Sequence, residues 1–460
     1  MKAILAAILT AVLLVLSLPP VGWWPLAWIA LVPAFWASSG QGFLRGFLIA
    51  IGASLLLGWF AVNGLLYSEK SFEGATSWTY LSTAMFGFVV SMCCGILGEM
   101  KQFTWRGVVG LAAMAVLLDF LLMPILPVTF AISQSRVSGM LMLSSWTGIW
   151  GVSFALWGVN LGIARSLGSR QFKKLVPVLA PIALLLVIGA LPIAGRKGRM
   201  SEVAVVQSES SDLDEMELLS RKDVPDLAVW PEFAGLAHVQ EGDASTLIAL
   251  AKKPGMPAIV TSFPDGNKPL PRNTAALFNA AGESARYYKR RLFGGEKNMH
   301  IPGMEAAVAL TEWGPVGLNI CFDSCFPSLM RDSARLGEVG LIALPTIDPE
   351  SPHGFLAAMH AAFTPFRAAE LGVAIARADG HAHSMIVTNT GEILLDLPPG
   401  LQDSAAAKID ITPRWTLYKA LGDWFLYLCG VGLVVLLLER GRPRPGNSQV
   451  QTNQSAIIEP

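Results

Sequence analysis

The sequence predicts a two-part fold class: a bundle of about eight membrane-spanning helices, and an α/β domain inserted before the last of them. The 460-residue chain is 53% hydrophobic and 15% charged, with a mean hydropathy of +0.50, whereas soluble proteins carry about 25% charged residues. The deficit is concentrated in residues 1–195, where the acidic residues are only Glu69, Glu73, Glu99 and Asp119. Residues 200–416 have an ordinary globular composition, which indicates one water-soluble domain.

The helix count comes from apolar runs long enough to cross a bilayer, which needs roughly 20 residues. Seven such runs precede the soluble domain and one follows it. The first run, which begins after Lys2, is predicted to be an uncleaved helix and not a signal peptide. The predicted spans are 3–19, 22–38, 43–65, 81–99, 106–126, 142–164, 174–194 and 420–438. The polar, aperiodic stretch 441–460 is predicted to be a disordered cytoplasmic tail.

Basic residues in the short loops predict the orientation, because such residues are enriched on the cytoplasmic side. With the N-terminus inside, only Lys70 and Arg136 fall in short outside loops, and the soluble domain faces outward, which is the periplasmic side in a bacterium. The basic residues placed inside are Lys2, Arg45, Lys101, Arg106, Arg165, Arg170, Lys173, Lys174, Arg440, Arg442 and Arg444.

Short β-rich runs alternate with helical patterns within the soluble domain, which is typical of an α/β layer structure. A helix is predicted over 353–371, ending at Gly372. The predicted strands are Val203–Gln207, Leu227–Trp230, Ala258–Ser262, Ala275–Asn279, Val316–Ile320, Leu341–Leu344, Val373–Ala378, Ser384–Thr388 and Glu392–Leu395.

Charge and cysteine usage exclude several function classes. The net charge is zero, and no basic stripe with interleaved aromatic residues indicates a nucleic-acid partner. Cys93, Cys94 and Cys429 lie inside apolar runs, and the absence of a Cys-x-x-Cys pair disfavours a zinc or redox site. His381 and His383 share a strand face but lack a third ligand at metal spacing. No metal or cofactor is therefore expected.

Cys321 is the candidate nucleophile of the soluble domain. It follows the apolar strand 316–320, and a nucleophile at a strand-to-helix turn projects its side chain while the next backbone N–H groups point at the same position. These N–H groups, beginning with that of Phe322, can hold an oxyanion. A buried cysteine acting as a small hydrophobic residue is the structural alternative, and Cys325 is the weaker candidate.

Two further side chains supply acid–base and electrostatic chemistry. Glu232 lies at the end of a strand, where a carboxylate beside a thiol can act as general base. Lys289 can stabilise an oxyanion and lower the pKa of the thiol, although three adjacent basic residues often form a solvated edge. Glu296 can orient Lys289 or serve as an auxiliary carboxylate, and Asp323, next to the nucleophile, is a further candidate for an auxiliary role.

Taken together, these peptides resemble the nitrilase superfamily, whose members use a Glu-Lys-Cys triad in an αββα sandwich, in the order of Glu232, Lys289 and Cys321. The flanking segments resemble one membrane-embedded branch of it, the apolipoprotein N-acyltransferases. The matching segments are Pro19–Pro33, Thr147–Phe154, Arg367–Gly372 and Trp415–Trp424. The nucleophile peptide differs from the family's Cys-Tyr-Glu, since it reads Cys321-Phe322-Asp323.

The resemblance implies an acyltransferase of the bacterial inner membrane with its catalytic domain on the periplasmic side. The thiolate of Cys321 would take an acyl chain from a phospholipid, and the N-terminal S-diacylglyceryl cysteine of an apolipoprotein would accept it. Glu232 would shuttle protons, while Lys289 and the N–H of Phe322 would hold the oxyanion. No cofactor is implied, and a monomer is expected. The alternatives are a nitrilase-type acyltransferase or amidase with a different amine or amide, and a non-catalytic membrane-bound binding protein.

Overall fold

The structure, a computed structural model, describes residues 1–63, 73–191, 198–234, 243–266, 269–349 and 354–441. The described residues of the N-terminal part form helices and the loops that connect them. Its α-helices are α1 (Lys2–Ser17), α2 (Val32–Ser38), α3 (Phe43–Asn63), α4 (Glu73–Glu99), α5 (Trp105–Leu122), α6 (Ser138–Thr147), α7 (Ile149–Ser169) and α8 (Val176–Gly189). A last apolar helix, Trp424–Gly441, packs against α5. The predicted tail, apart from Gly441, lies outside the described residues, as do Lys70, Arg442 and Arg444.

Several of these helices are apolar enough to cross a membrane. In the described part of the chain, four are long enough by themselves: Phe43–Asn63, Ser77–Glu99, Trp105–Leu122 and Phe172–Gly189. The pair α6 and α7 would make a fifth, and Lys2–Ser17, Trp24–Ser38 and Trp424–Glu439 are shorter apolar helices. A membrane-type helical domain is therefore present, with fewer full-length spans than the sequence predicts.

The predicted run 142–164 is not one straight helix, because the chain bends by 117° between α6 and α7. Gly148 lies at the bend with φ +69°, a conformation that favours glycine because it has no Cβ. A Cβ at this position would lie 2.6 Å from the ring of Tyr418. The run 22–38 is also interrupted, into a 3₁₀ turn at Trp24–Trp28 and the short helix α2.

The soluble part contains two six-stranded sheets with matching strand orders. One sheet has the order β12-β1-β2-β3-β4-β5 and the other β11-β10-β9-β8-β7-β6. Each has parallel strands at its centre and antiparallel strands at its edges. The strands are β1 (Met200–Gln207), β2 (Leu227–Val229), β3 (Ala258–Asp265), β4 (Arg272–Asn279), β5 (Gly282–Tyr288), β6 (Ala307–Thr311), β7 (Gly314–Leu318), β8 (Leu341–Thr346), β9 (Ala374–Asp379), β10 (Ser384–Val387), β11 (Ile393–Leu397) and β12 (Asp403–Asp410).

Helices cover the outer face of each sheet, so that the domain has four layers. The inner faces of the sheets meet in one apolar core that includes Val229 and Leu318. The outer helices are α9 (Leu213–Arg221) and α10 (Ser245–Ala251) on the first sheet, and α11 (Pro327–Ala334), α12 (Phe355–Ala361) and α13 (Phe363–Leu371) on the second. The predicted αββα sandwich is confirmed.

All nine predicted strands are present, with end shifts of a few residues. The sequence reading missed β5, β6 and β12, which lie at sheet edges, where polar and small residues weaken the apolar pattern. The predicted helix 353–371 is split at Ala362 into α12 and α13, and residue 353 lies outside the described part.

The two parts of the chain share a hydrophobic core along α12 and α13. Phe355, Met359 and Phe366 pack into the same buried cluster as the membrane-type helices. Glu370 also accepts a hydrogen bond of 2.6 Å from the backbone N–H of Ile149. The Arg367–Glu370 pair, expected to be structural, is a fully buried ion pair at 2.9 Å. These contacts fix the sandwich against the helical domain.

Candidate active site

Glu232 enters the site from the carboxyl end of β2. Pro231 follows the strand, and the backbone N–H of Glu232 donates to the carbonyl of Thr346 at 3.1 Å, so that the chain crosses toward the second sheet. The side chain is almost fully buried. Its Oε1 accepts a hydrogen bond of 2.6 Å from Asn273, and its Oε2 accepts one of 3.2 Å from the backbone N–H of Ile347. The carboxylate is therefore fixed by groups from both sheets.

Lys289 follows directly after β5 and is 1% exposed, so the solvated-edge alternative does not hold for it. Its Nζ lies 2.8 Å from Glu232 Oε1 and 2.7 Å from Glu296 Oε1. Glu296 lies on a 3₁₀ turn, Gly294–Asn298, and its Oε2 accepts a hydrogen bond from the backbone N–H of Phe293 at 2.8 Å. Glu296 therefore contacts the ammonium group of Lys289 while its other oxygen is held by the backbone.

Cys321 opens a 3₁₀ turn, Cys321–Cys325, immediately after β7. Its φ is +47°, an uncommon conformation for a residue with a Cβ and one that occurs at functional sites. The thiol Sγ lies 3.8 Å from the carbonyl oxygen of Ile347, the residue whose N–H holds Glu232. Phe322 follows in the first turn, where backbone N–H groups have no acceptor within the helix.

Asp323 holds this turn in place and does not face the thiol. Its Oδ2 accepts hydrogen bonds from the Tyr287 hydroxyl at 2.7 Å and from the Ile320 backbone N–H at 3.1 Å. Its Oδ1 accepts one from the Arg291 backbone N–H at 2.9 Å. Asp323 therefore connects the nucleophile turn to the segment that carries Lys289. The structure brings Glu232, Lys289, Glu296 and Cys321 together.

The protonation states follow from burial and charge. Burial raises the pKa of Glu232, and the positive charge of Lys289 opposes that rise. Burial alone would lower the pKa of Lys289, but the nearby Cys321, Glu232 and Glu296 raise it well above its usual value. Lys289 is therefore an ammonium ion, a hydrogen-bond donor and not a base.

The predicted effect of Lys289 on the pKa of the thiol is present but is not the largest one. Lys289 does act to lower the pKa, but burial and the negative charge of Glu232 outweigh it and raise the pKa of Cys321 well above its usual value. The resting thiol is consequently protonated. An attack by this thiol would therefore require transfer of its proton to a base.

A cavity of about 90 Å³ opens onto the thiol. One wall comes from the catalytic segments and the opposite wall from the helical domain, at Ser82 of α4 and at Leu126, Pro127 and Val128 after α5. The remaining lining is mainly apolar: Phe293, Phe322, Ile347, Leu356, Met359 and Phe363. Cys325 also lines this cavity, a few residues from the nucleophile.

The sequence reading missed three side chains around the thiol: Asn273, Asp348 and His360. Asp348 follows β8, and the end position of that strand was the available signal. His360 lies on the predicted helix, but its spacing gave no sign that it faces Cys321. Cys321, Asp348 and His360 each offer an atom within 4.8 Å of the others. The set is unsuited to a cation because both oxygens of Asp348 are engaged, by His360 and by the guanidinium of Arg377.

The two histidines that the sequence singled out, His381 and His383, do not line the cavity at the thiol. His381 pairs with Glu209 at 2.7 Å, and His383 pairs with Asp396 at 2.9 Å. The two rings therefore lie next to different carboxylates.

Comparisons with known proteins agree with this architecture. The carbon-nitrogen hydrolase family matches residues 213–412, and the apolipoprotein N-acyltransferase N-terminal domain matches residues 10–162. An apolipoprotein N-acyltransferase of Geobacter metallireducens is 26% identical over 94% of both chains. One of Synechocystis sp. is 30% identical over 29% of this chain and 25% of its own.

Solved structures resemble the sandwich part alone. An amidase from Nesterenkonia sp. is 22% identical, with a TM-score of 0.42, over 52% of this chain and 98% of its own. A nitrilase-superfamily protein of Saccharomyces cerevisiae is 20% identical, with a TM-score of 0.39, over 50% of this chain and 97% of its own. Together, the two matched domains and the relative matched over 94% of both chains show that this chain is similar, along nearly its whole length, to apolipoprotein N-acyltransferases.

Proposed function

We propose that this protein transfers an acyl chain from a phospholipid to the N-terminal amine of an S-diacylglyceryl cysteine on a bacterial lipoprotein. The similarity to apolipoprotein N-acyltransferases and the buried Glu232–Lys289–Cys321 arrangement support acyl transfer through a thiol. The observation that carries the lipid assignment is the cavity at Cys321, whose wall is shared between catalytic residues and Ser82, Leu126 and Val128 of the helical domain. In this proposal, the acyl chain enters the cavity from the side of the helical domain.

The first half-reaction forms a thioester. Glu232 accepts the proton of the Cys321 thiol as sulfur attacks the ester carbonyl of the phospholipid. The carbonyl oxygen becomes an oxyanion, which accepts hydrogen bonds from the Lys289 ammonium and the Phe322 N–H; one such donor contributes about 3–4 kcal/mol. The C–O bond then breaks, and Glu232 returns the proton to the departing lysophospholipid oxygen. The acyl chain remains bonded to sulfur.

The second half-reaction moves the acyl chain to nitrogen. The neutral α-amine of the lipoprotein attacks the thioester carbonyl, and the same donors hold the second oxyanion. Glu232 removes the proton of the attacking nitrogen, the C–S bond breaks, and the thiolate of Cys321 takes that proton back. The apolar cavity disfavours hydrolysis, since an active site that excludes water prevents such side reactions.

The proposed setting is the bacterial inner membrane. Residues 1–195 form the membrane domain with seven spans, 420–438 form the eighth, and 200–416 form the catalytic domain on the periplasmic side. The basic loop residues support this orientation. The short helices Lys2–Ser17, Trp24–Ser38 and Trp424–Glu439 count as spans in this proposal. A monomer suffices, because the catalytic side chains come from one chain.

The test is reconstitution with defined substrates. Purified protein in mixed micelles receives a phospholipid with a labelled acyl chain and a synthetic S-diacylglyceryl lipopeptide with a free N-terminus. We expect the lipopeptide mass to increase by one acyl chain, and no increase with Cys321→Ala or with an N-acetylated lipopeptide. Labelled free fatty acid as the only product would contradict acyl transfer and indicate hydrolysis.

A further inference from the structure

A chain of three buried groups lies behind the nucleophile. His360 on α12 faces Asp348 after β8, and Asp348 faces Arg377 on β9. His360 Nδ1 lies 2.5 Å from Asp348 Oδ1, and the other carboxylate oxygen accepts from Arg377. Arg377 also pairs with Asp379 at 3.2 Å. His360, Asp348 and Arg377 thus come from three separate segments of the fold.

The second ring nitrogen of His360 contacts the turn Cys321–Cys325. Its Nε2 lies 3.2 Å from the carbonyl oxygen of Cys321 and 2.9 Å from Ser324 Oγ. The Ser324 hydroxyl itself donates to the same carbonyl at 2.8 Å, so Nε2 must carry a proton and donate. The carbonyl of Cys321 is therefore held by two donors.

This geometry excludes a Cys-His-Asp triad in which histidine is the base. Such a base needs an unprotonated ring nitrogen facing the thiol, whereas Nδ1 is hydrogen-bonded to Asp348 and Nε2 to the Cys321 carbonyl and Ser324. Asp348 also outweighs burial and raises the pKa of His360 to about 10. The ring is consequently an imidazolium ion, with one of its nitrogens within 4.8 Å of Cys321 Sγ.

We propose that His360 is a cationic positioning residue: its Nε2–H fixes the Cys321 carbonyl and with it the left-handed backbone of the nucleophile, and its charge stabilises the thiolate. The charged and titratable groups that face it are Asp348, Arg377, Cys321 and Cys325. Because the thiolate attacks in one half-reaction and departs in the other, this charge assists both. His360 is thus an additional residue of the proposed active site. Its effect on turnover rests on the proposed function, whereas its effect on the thiol does not.

The decisive measurement is the pH dependence of Cys321 alkylation by iodoacetamide, which requires no acyl transfer. His360→Gln retains an N–H donor of similar reach and removes the charge. We expect the apparent pKa of the thiol to rise by about 1 or more, since an opposite charge within about 4–6 Å shifts a pKa by 1–3. His383→Gln is the matched control, because the side chain of His383 also pairs with an aspartate but does not line the cavity at the thiol; it should leave the profile unchanged.

His360→Asn provides a second variant in case His360→Gln fails to fold. It also replaces the ring by a neutral amide, and it keeps the carboxylate of Asp348, which itself raises the pKa of the thiol. The same upward shift of the thiol pKa is expected. An alkylation profile identical to wild type in the folded variants would overturn the proposal. A shifted profile in a protein that transfers no acyl chain would leave this inference standing and remove the proposed function.

Discussion

Replacing Glu232 by glutamine should lower the rate of N-acylation by about 10²–10⁴-fold, the usual contribution of a general acid–base group. That range corresponds to about 3–5 kcal/mol of barrier, at 1.36 kcal/mol for each factor of ten. The structure explains why the loss should affect chemistry more than folding. Glutamine keeps the shape of the side chain, and Lys289 retains Glu296 at 2.7 Å as a charged partner.

The cost in stability should be smaller than the cost in rate. The substitution weakens the charge-assisted hydrogen bond from Lys289 at 2.8 Å, and such bonds contribute about 1.5–3 kcal/mol. The free energy of unfolding should fall by no more than that amount. Thermal unfolding in detergent, recorded beside the rate, separates the two effects.

The ionisation of Glu232 also predicts how the rate of N-acylation changes with pH. Glu232 must be ionised to accept a proton, so the rate should be high above its pKa and fall as the pH drops through it. Burial raises that pKa, so the acid limb should lie above the usual glutamate value of about 4.3. In Glu232→Gln this limb should disappear.

The assay is initial-rate N-acylation of a diacylated lipopeptide across pH 4–9, with phospholipid in excess. Glu217→Gln is the control, because Glu217 is also ion-paired but lies on α9, on the outer face of the first sheet. It should match wild type. A Glu232→Gln enzyme with more than a tenth of the wild-type rate would refute the assignment of Glu232 as the proton carrier.

Three further predictions concern the cavity and the two junctions. Ser82→Trp should fill the cavity and lower N-acylation about tenfold or more, because a displaced acyl chain reacts slowly; Ser82→Ala should not, and iodoacetamide should still alkylate Cys321 in both. Glu370→Ala should lower the free energy of unfolding by about 3–5 kcal/mol, since it leaves the buried Arg367 unpaired; a thermal midpoint equal to that of wild type would contradict this. Gly148→Ala should cost about 1 kcal/mol or more, because its φ is positive and the added Cβ meets Tyr418; thermal unfolding in detergent checks it, with Gly158→Ala, where a Cβ meets no neighbour, as the comparison.

The sequence predicted the elements whose pattern is local and strongly apolar. The central strands of both sheets are continuous hydrophobic runs, so they were found, together with Glu232 and Cys321 at their ends. The edge strand β5 has a mixed composition and was missed, although Lys289 follows it. Periodicity also cannot distinguish one straight helix from two that meet at Gly148, because the break depends on a contact with Tyr418, which lies far along the chain.

The environment of the thiol was less predictable than its identity. His360 was missed because its partners, Asp348, Arg377 and the Cys321 carbonyl, are brought to it only by the packing of α12 on the second sheet. The sign of the pKa change at Cys321 was missed for a similar reason. The sequence shows the nearby charge of Lys289, but burial and the neighbouring carboxylates, which outweigh it, depend on the fold.

The central claim is that the acyl chain passes through a thioester on Cys321, and intact mass spectrometry tests it most directly. Wild-type protein and Cys321→Ala are incubated with phospholipid in the absence of an amine acceptor. The account predicts an adduct of one acyl chain on wild type, removable by hydroxylamine and absent from Cys321→Ala. An adduct of the same mass on Cys321→Ala, or N-acylation of lipopeptide by that variant, would contradict it.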